Sequence, residues 1–217
     1  MSLLAGFRVV QIGEGLAAAV CGRLFADVGA DVVCIDADNS TPLADYLNHG
    51  KRILGDPAAA LSAVDLIVCE GRPRDLSARG YDAVGLRRLN SKAMRVFISP
   101  FGQTGPQAND PATDLTLFFA SGMARLLTGQ VDDLAEPPMR PVGEQSAFIG
   151  GLAAACAGMH AALVSEPGVI DVSIREALAT MSATELARAG LGGKFWSRRR
   201  LTDGNGATVT ILPASDG

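Results

Sequence analysis

Apolar and polar positions change period several times within the first forty residues of the chain. "FRVVQIG" (7–13) is a β-branched run bounded by glycine, "GLAAAVCGRLFADVG" (15–29) has helical composition and stops at Gly29, and "ADVVCIDAD" (30–38) is a second apolar run. Strand, helix and strand in that order make a β-α-β unit. Both strands are apolar on consecutive positions, as expected for a parallel sheet covered on both faces. Further strands are predicted at "VDLIVCE" (64–70) and "MRVFISP" (94–100), with a helix between them over Tyr81 to Asn90. The fold class that follows is α/β: a Rossmann-like open parallel sheet with helices on both faces.

After Pro100 the pattern turns into a polar loop bearing Gly and Pro, "FGQTGPQANDPATD", followed by a helical segment, "LTLFFASGMARLL". A loop of this length in a compact domain is commonly functional. A second loop, "TGQVDDLAEPPMRPVGE", leads into a run of small apolar residues from Phe148 to Val164. That run is short for a membrane span and carries Gly150, Gly151, Gly158 and His160, so it is predicted to be a helix buried inside the protein. "GVIDVSI" then reads as a strand, "REALATMSATELARA" as one helix, and "GATVTILP" as a final alternating strand.

Composition narrows the picture. The chain has 217 residues, with 48% apolar and 19% charged residues, which excludes a largely disordered protein. A formal charge of −4 gives no general attraction to nucleic acid or to anionic lipid, so neither nucleic acid nor membrane is an expected partner. The basic cluster Arg198, Arg199 and Arg200 beside Trp196 reads as a solvated helix end. Cys21, Cys34, Cys69 and Cys156 form no zinc-type spacing and are expected to be buried, reduced core residues, with no metal. The start "MSLLAGFRVV" lacks a basic n-region and a cleavage site, from which a cytoplasmic location is expected.

Two stretches carry candidate chemistry. Gly13-x-Gly15-x-x-Ala18 follows a strand and opens a helix, and Asp36 ends the next strand. This meets the context of a dinucleotide fingerprint, in which glycines admit a pyrophosphate to a helix N-terminus and the acid binds a ribose hydroxyl. The same turn also serves as plain strand-to-helix packing. The second stretch is "MRPVGEQSAFIGGLAAA", where Glu144 stands between a proline-rich turn and the small-residue helix. A carboxylate there is either a helix cap or an acid held ionised by the helix end. His160 among alanines reads as a core or interface residue, and His49 in "NHGKR" as a loop residue.

Taken together, "LLAGFRVVQIG", "AAAVCGRLFADVGADVVCID", "NHGKR", "VDLIVCEGRPRDLSARGYDAV", "VFISPFGQTGPQANDPATDL" and "VIDVSIREALATM" resemble the class III coenzyme A transferase family, which also includes α-methylacyl-CoA racemases. The most specific block is the Gly-Gln-Thr-Gly-Pro loop. The resemblance implies a Rossmann-like large domain joined to a small one, in proteins roughly twice this length. Residues 1–190 would then belong to the large domain, and 191–217 to a linker and the start of the small domain. It also implies a homodimer of interlocked chains, or a partner chain supplying the remaining half.

The implied activity is transfer of CoA between carboxylic acids, with an acyl-CoA thioester and a free acid as substrates and no tightly bound cofactor. On the alignment "RPVGEQSAFIGGLAAA", Glu144 takes the place of the family's nucleophilic aspartate. Thr113, before Asp114, stands where the racemases carry a histidine, which argues against racemisation. For the coenzyme the resemblance implicates Gly15 and Leu16 after the first strand, together with Arg72 and Arg79. Lys51 and Arg52 of "HGKR" and Asp36 complete the candidate binding set. A catalytically degenerate relative that keeps a dimer scaffold, or a nicotinamide-binding oxidoreductase domain using Gly13, Gly15 and Asp36, are the alternative readings.

Overall fold

The structure is a computed structural model and describes residues 2–13, 15–36, 41–54, 57–124, 133, 135, 141–164 and 167–192. Six strands, β1 (Arg8–Ile12), β2 (Asp31–Ile35), β3 (Arg52–Ile53), β4 (Leu66–Glu70), β5 (Met94–Ser99) and β6 (Val169–Ser173), form one sheet in the order β3-β2-β1-β4-β5-β6. Every pairing is parallel. Chain direction across the sheet reverses at β1 and β4, and the carboxyl ends of strands beside such a switch point are where open α/β sheets receive ligands. The predicted α/β class and its first four long strands are all present, within three residues of their expected ends.

Residues on the two faces of each strand sort into two cores. Val9, Val32, Leu66, Val68, Val96 and Ile98 pack on one side with Cys21 and Phe25 of α1 (Leu16–Asp27) and with Ala154 and Ala155 of α7 (Gln145–Val164). Val10, Ile12, Ile67, Cys69 and Phe97 face the other side, against Leu61 of α3 (Pro57–Ser62), Leu76 of α4 (Pro73–Ala78) and Leu86 of α5 (Ala83–Leu89). Burial on both faces accounts for the consecutive apolar residues of the central strands, which Gln11 of β1 and Arg95 of β5 interrupt as buried polar residues.

The small residues of α7 let it lie directly on α1. A Cβ on Gly151 would stand 2.5 Å from the Ala17 carbonyl oxygen and 2.7 Å from Val20 Cβ, and one on Gly158 would meet the Phe25 ring at 3.1 Å. Contacts advance together along both helices, so α1 and α7 run parallel, with both N-termini at the carboxyl edge of the sheet. By length and composition α7 is also apolar enough to cross a membrane. Its inner stripe is buried against α1 and β5, while Phe148, Leu152, Cys156, His160, Leu163 and Val164 are exposed along its outer stripe.

Several expectations change. Cys21, Cys34 and Cys69 are buried as expected, but Cys156 is exposed, because it falls on the outer stripe of α7. His160 is likewise exposed. The helix expected over 175–189 is two helices, α8 (Ile174–Met181) and α9 (Ala183–Gly190), divided at Ser182, whose buried hydroxyl donates to Met123 Sδ at 3.2 Å. Two short helices were not anticipated: α2 (Pro42–Asn48), capped by the Thr41 hydroxyl accepting from Ala44 N, and α4. Each begins with proline, which fits the first turn because its missing N–H would be orphaned there anyway. The final strand at "GATVTILP" and the Trp196 to Arg200 cluster lie outside the described residues.

Candidate active site at the carboxyl edge of the sheet

The turn from β1 into α1 uses Gly13 at φ 110, a conformation that favours glycine. Close approach adds a second demand, since a Cβ on Gly13 would meet the Glu70 carbonyl oxygen at 2.8 Å and one on Gly15 would fall on the Glu70 carboxylate. Glu70 is the last residue of β4, beside β1, and its Oε2 accepts from Ala18 N at 2.6 Å. Burial pushes its carboxyl up to about 7, and hydrogen bonds from the Ala18 and Ala17 backbone oppose that rise. The α1 N-terminus thus already holds a carboxyl group from its own chain, which is anionic above about pH 7.

Asp36 directly follows β2 and is the non-glycine residue with positive φ, at 63, among those described. Its carboxylate pairs with Arg79, whose guanidinium also lies over the Tyr81 ring, 4.9 Å from the centroid. Arg72 caps the start of α4 and donates to Asp75 Oδ2 at 2.6 Å. Both arginines stand at the carboxyl edge, each with an acidic partner.

Lys51 and Arg52 are directed elsewhere. Lys51 turns inward, donating to Gln11 Oε1 at 2.8 Å, the Ala19 carbonyl oxygen at 2.8 Å and Asn48 Oδ1 at 3.3 Å. Burial lowers its pKa from 10.5 to about 8. Arg52, on the edge strand β3, forms a two-point pair with Asp31, at 3.0 and 2.6 Å. Asp31 begins β2, so that pair lies at the opposite, amino end of the sheet. The candidate set placed both cations of "HGKR" near the coenzyme, whereas here Lys51 is taken up by Gln11, Ala19 and Asn48 and Arg52 by Asp31.

The loop singled out by its Gly-Gln-Thr-Gly-Pro block covers the edge beyond β4 and β5. Gln103 ties it down from both sides: its Nε2 donates to the Gly71 carbonyl at 3.0 Å and its backbone N to Asp171 Oδ2 at 2.8 Å. Asn109 Oδ1 accepts from Arg74 N at 2.9 Å, and Arg175 donates to Gln107 Oε1 at 2.6 Å. Sequence reasoning missed Gln103, Asp171 and Glu70. For Glu70 a signal existed, a carboxylate ending an otherwise apolar buried strand.

At the entrance to α7 a carboxylate does meet the helix end, and it belongs to Asp114. Thr113 caps α6 (Asp114–Ala120) through a reciprocal pair of bonds with Thr116. Asp114 Oδ1 then accepts from Ala147 N at 2.9 Å, and Ser146 Oγ donates to the Asp114 carbonyl at 2.7 Å. Glu144 offers its backbone oxygen to Phe148 N at 3.1 Å, while its side chain is exposed. The helix-end stabilisation expected for Glu144 therefore goes to Asp114, which projects across from α6. Gly151 is level with Ala17, and the first residue of α7 lies six positions earlier, about 9 Å along the helix. Glu144 thus projects past the start of α1 on the edge that also carries Gly15, Leu16, Asp36, Arg72 and Arg79.

An open parallel sheet with a glycine turn and a switch point at its carboxyl edge defines a Rossmann-type α/β domain. The chain belongs to CoA-transferase family III, whose family model matches residues 59–217. It is similar to the succinyl-CoA--D-citramalate CoA-transferase of Chloroflexus aurantiacus, with 27% identity over 239 residues, covering 97% of this chain and 58% of that protein. It is also similar to the succinyl-CoA:(R)-benzylsuccinate CoA-transferase subunit BbsE of Thauera aromatica, at 26% identity over 97% of this chain and 57% of that protein. Among solved structures, a CAIB/BAIF family protein from Brucella suis shares the fold, with a TM-score of 0.81 at 20% identity, over 100% of this chain and 65% of that one. The chain spans under two thirds of the length of each of these relatives.

Proposed function

We propose that this chain is the large-domain portion of a CoA transferase that moves CoA from an acyl-CoA thioester to a free carboxylic acid, with Glu144 as nucleophile. CoA transfer rests on membership of the family, whose curated members matched here are named for it. The observation that favours Glu144 is its contrast with Asp114. At the same helix entrance Asp114 is engaged by a backbone N–H, while the Glu144 side chain is exposed and accepts no hydrogen bond among the described residues. An unengaged carboxylate oxygen keeps its lone pair for attack.

In that step a Glu144 oxygen bonds to the thioester carbonyl carbon. The carbon–sulfur bond breaks, and the electron pair leaves with sulfur as the CoA thiolate. The product is a mixed anhydride on Glu144. Carboxylates are weak nucleophiles, so the step needs water excluded and the approach held to within ~1 Å. The described residues leave Glu144 open to solvent, and closure is assigned to the length of the relatives this chain does not span, from the same protein, a second copy in a homodimer or a partner chain.

Mass spectrometry after incubation with acetyl-CoA and hydroxylamine tests this. A hydroxamate on the peptide carrying Glu144, absent in Glu144→Gln, is the expected result. CoA binding by calorimetry without any such adduct would overturn the nucleophile and favour a second reading, a non-catalytic family scaffold. The exposure of Glu144 and the acidic partners already held by Arg72 and Arg79 are the observations on that side.

A further inference from the structure

The glycine turn that opens the chain carries the spacing of a dinucleotide site, yet the geometry around it points the other way. In such sites a pyrophosphate sits on the free N–H groups of the first helical turn, and an acid at the end of the second strand takes a ribose hydroxyl. Here both positions are filled from within. The carboxylate of Glu70, arriving from β4, lies against Gly15 where even a methyl group has no room, and accepts from Ala18 N at 2.6 Å. Asp36, the acid in the ribose position, is joined to Arg79.

We propose that Glu70 is a specificity-determining residue: it occupies the anion-binding end of α1 with the chain's own carboxylate and so closes the glycine turn to the pyrophosphate of a dinucleotide. Two physical effects act together. The side chain fills the volume a phosphate would need, and its charge repels a second anion in a partly buried setting where screening is weak. A carboxylate at this helix end takes up the Ala18 N–H and sets its charge against the remaining N–H groups of the first turn, where a ligand anion would otherwise sit. The glycines are then explained by the approach of Glu70 itself. Any phosphate bound at this edge is displaced from α1, toward the Arg72 to Arg79 side of β4. The inference goes beyond the CoA reading and does not depend on it.

The test is nuclear magnetic resonance and calorimetry on the chain and on Glu70→Ala, with sodium pyrophosphate and NAD as probes at pH 8. In the unmutated chain the amide resonances of Leu16, Ala17 and Ala18 are expected to stay in place with either probe. In Glu70→Ala the same resonances are expected to shift with pyrophosphate, with affinity up about tenfold, the size of a favourable charge at a helix end. Movement of those amides in the unmutated chain overturns the proposal, as does a folded Glu70→Ala that binds pyrophosphate no better. Should Glu70→Ala not fold, the result on the unmutated chain decides alone. A separate titration with CoA reports on the proposed function, which can fail while this result stands.

Discussion

Individual side chains at the centre of the sheet carry charge where water is scarce, and their consequences follow from where those charges are matched. Lys51 is held by three oxygens, and Gln11, 1% exposed, depends on it. Lys51→Met leaves the Gln11 and Ala19 oxygens without their charged donor and is expected to cost about 2 kcal/mol in urea unfolding. Replacing both residues, Lys51→Met with Gln11→Leu, is expected to recover part of that loss, since removing both partners avoids a stranded polar atom. Glu70 gives a signature in pH. Its carboxyl titrates near 4.5 when unfolded and about 7 when folded, so the folded chain holds a proton that the unfolded chain releases within that window. Stability is therefore expected to fall as pH rises from 4.5 to 7, by up to about 1.4 kcal/mol per unit. Glu70→Gln is expected to flatten that slope in unfolding curves taken across the window. Lys51 acts in a separate window: its lowered pKa adds stability above 10.5 that is lost as pH falls through about 8.

Among the elements, the α1–α7 pair decides how the edge is built. A side chain at 151 would press on the Ala17 carbonyl oxygen and on Val20 Cβ, neither of which can yield by rotating a side chain. Gly151→Val is expected to destabilise by about 3 kcal/mol, the upper range for overfilling a packed core, and to lower the melting temperature in circular dichroism. Leu152→Ala, one residue on but facing outward at 52% exposed, is expected to change stability by under about 0.5 kcal/mol. The contrast reports the face of α7 that is buried. Since α7 also carries Glu144 at its start, displacing the helix from α1 displaces the proposed nucleophile relative to the glycine turn.

For the whole molecule, the sheet separates a closed interior from an open outer surface on α7. Cys21, Cys34 and Cys69 lie in the two cores, and burial pushes all three thiols up, Cys21 to about 12. A thiol-reactive dye is expected to label Cys156 rapidly in the native chain and the other three only after unfolding, because attack needs both access and thiolate. Labelling of all four at one rate would contradict the closed sheet. Exposed Phe148, Leu152 and Val164 lie on the same stripe as Cys156, so its labelling rate also reports whether that surface is covered in solution.

Local pattern was enough for the β-α-β opening, the long strands and the small-residue helix, because burial on one or two faces writes itself into neighbouring residues at a fixed period. The resemblance built on the 101–106 loop led to the family that the comparisons support. Local pattern alone did not show the partners of the charged residues. Glu70 and Ala18 are separated by 52 positions, Arg79 and Asp36 by 43, and Asp114 and Ala147 by 33. A glycine turn looks the same in sequence whether a ligand phosphate or a carboxylate from another strand approaches it. Only strand order brings β4 beside β1, and so only the tertiary structure decided which anion the helix end holds and which carboxylate at α7 remains unengaged.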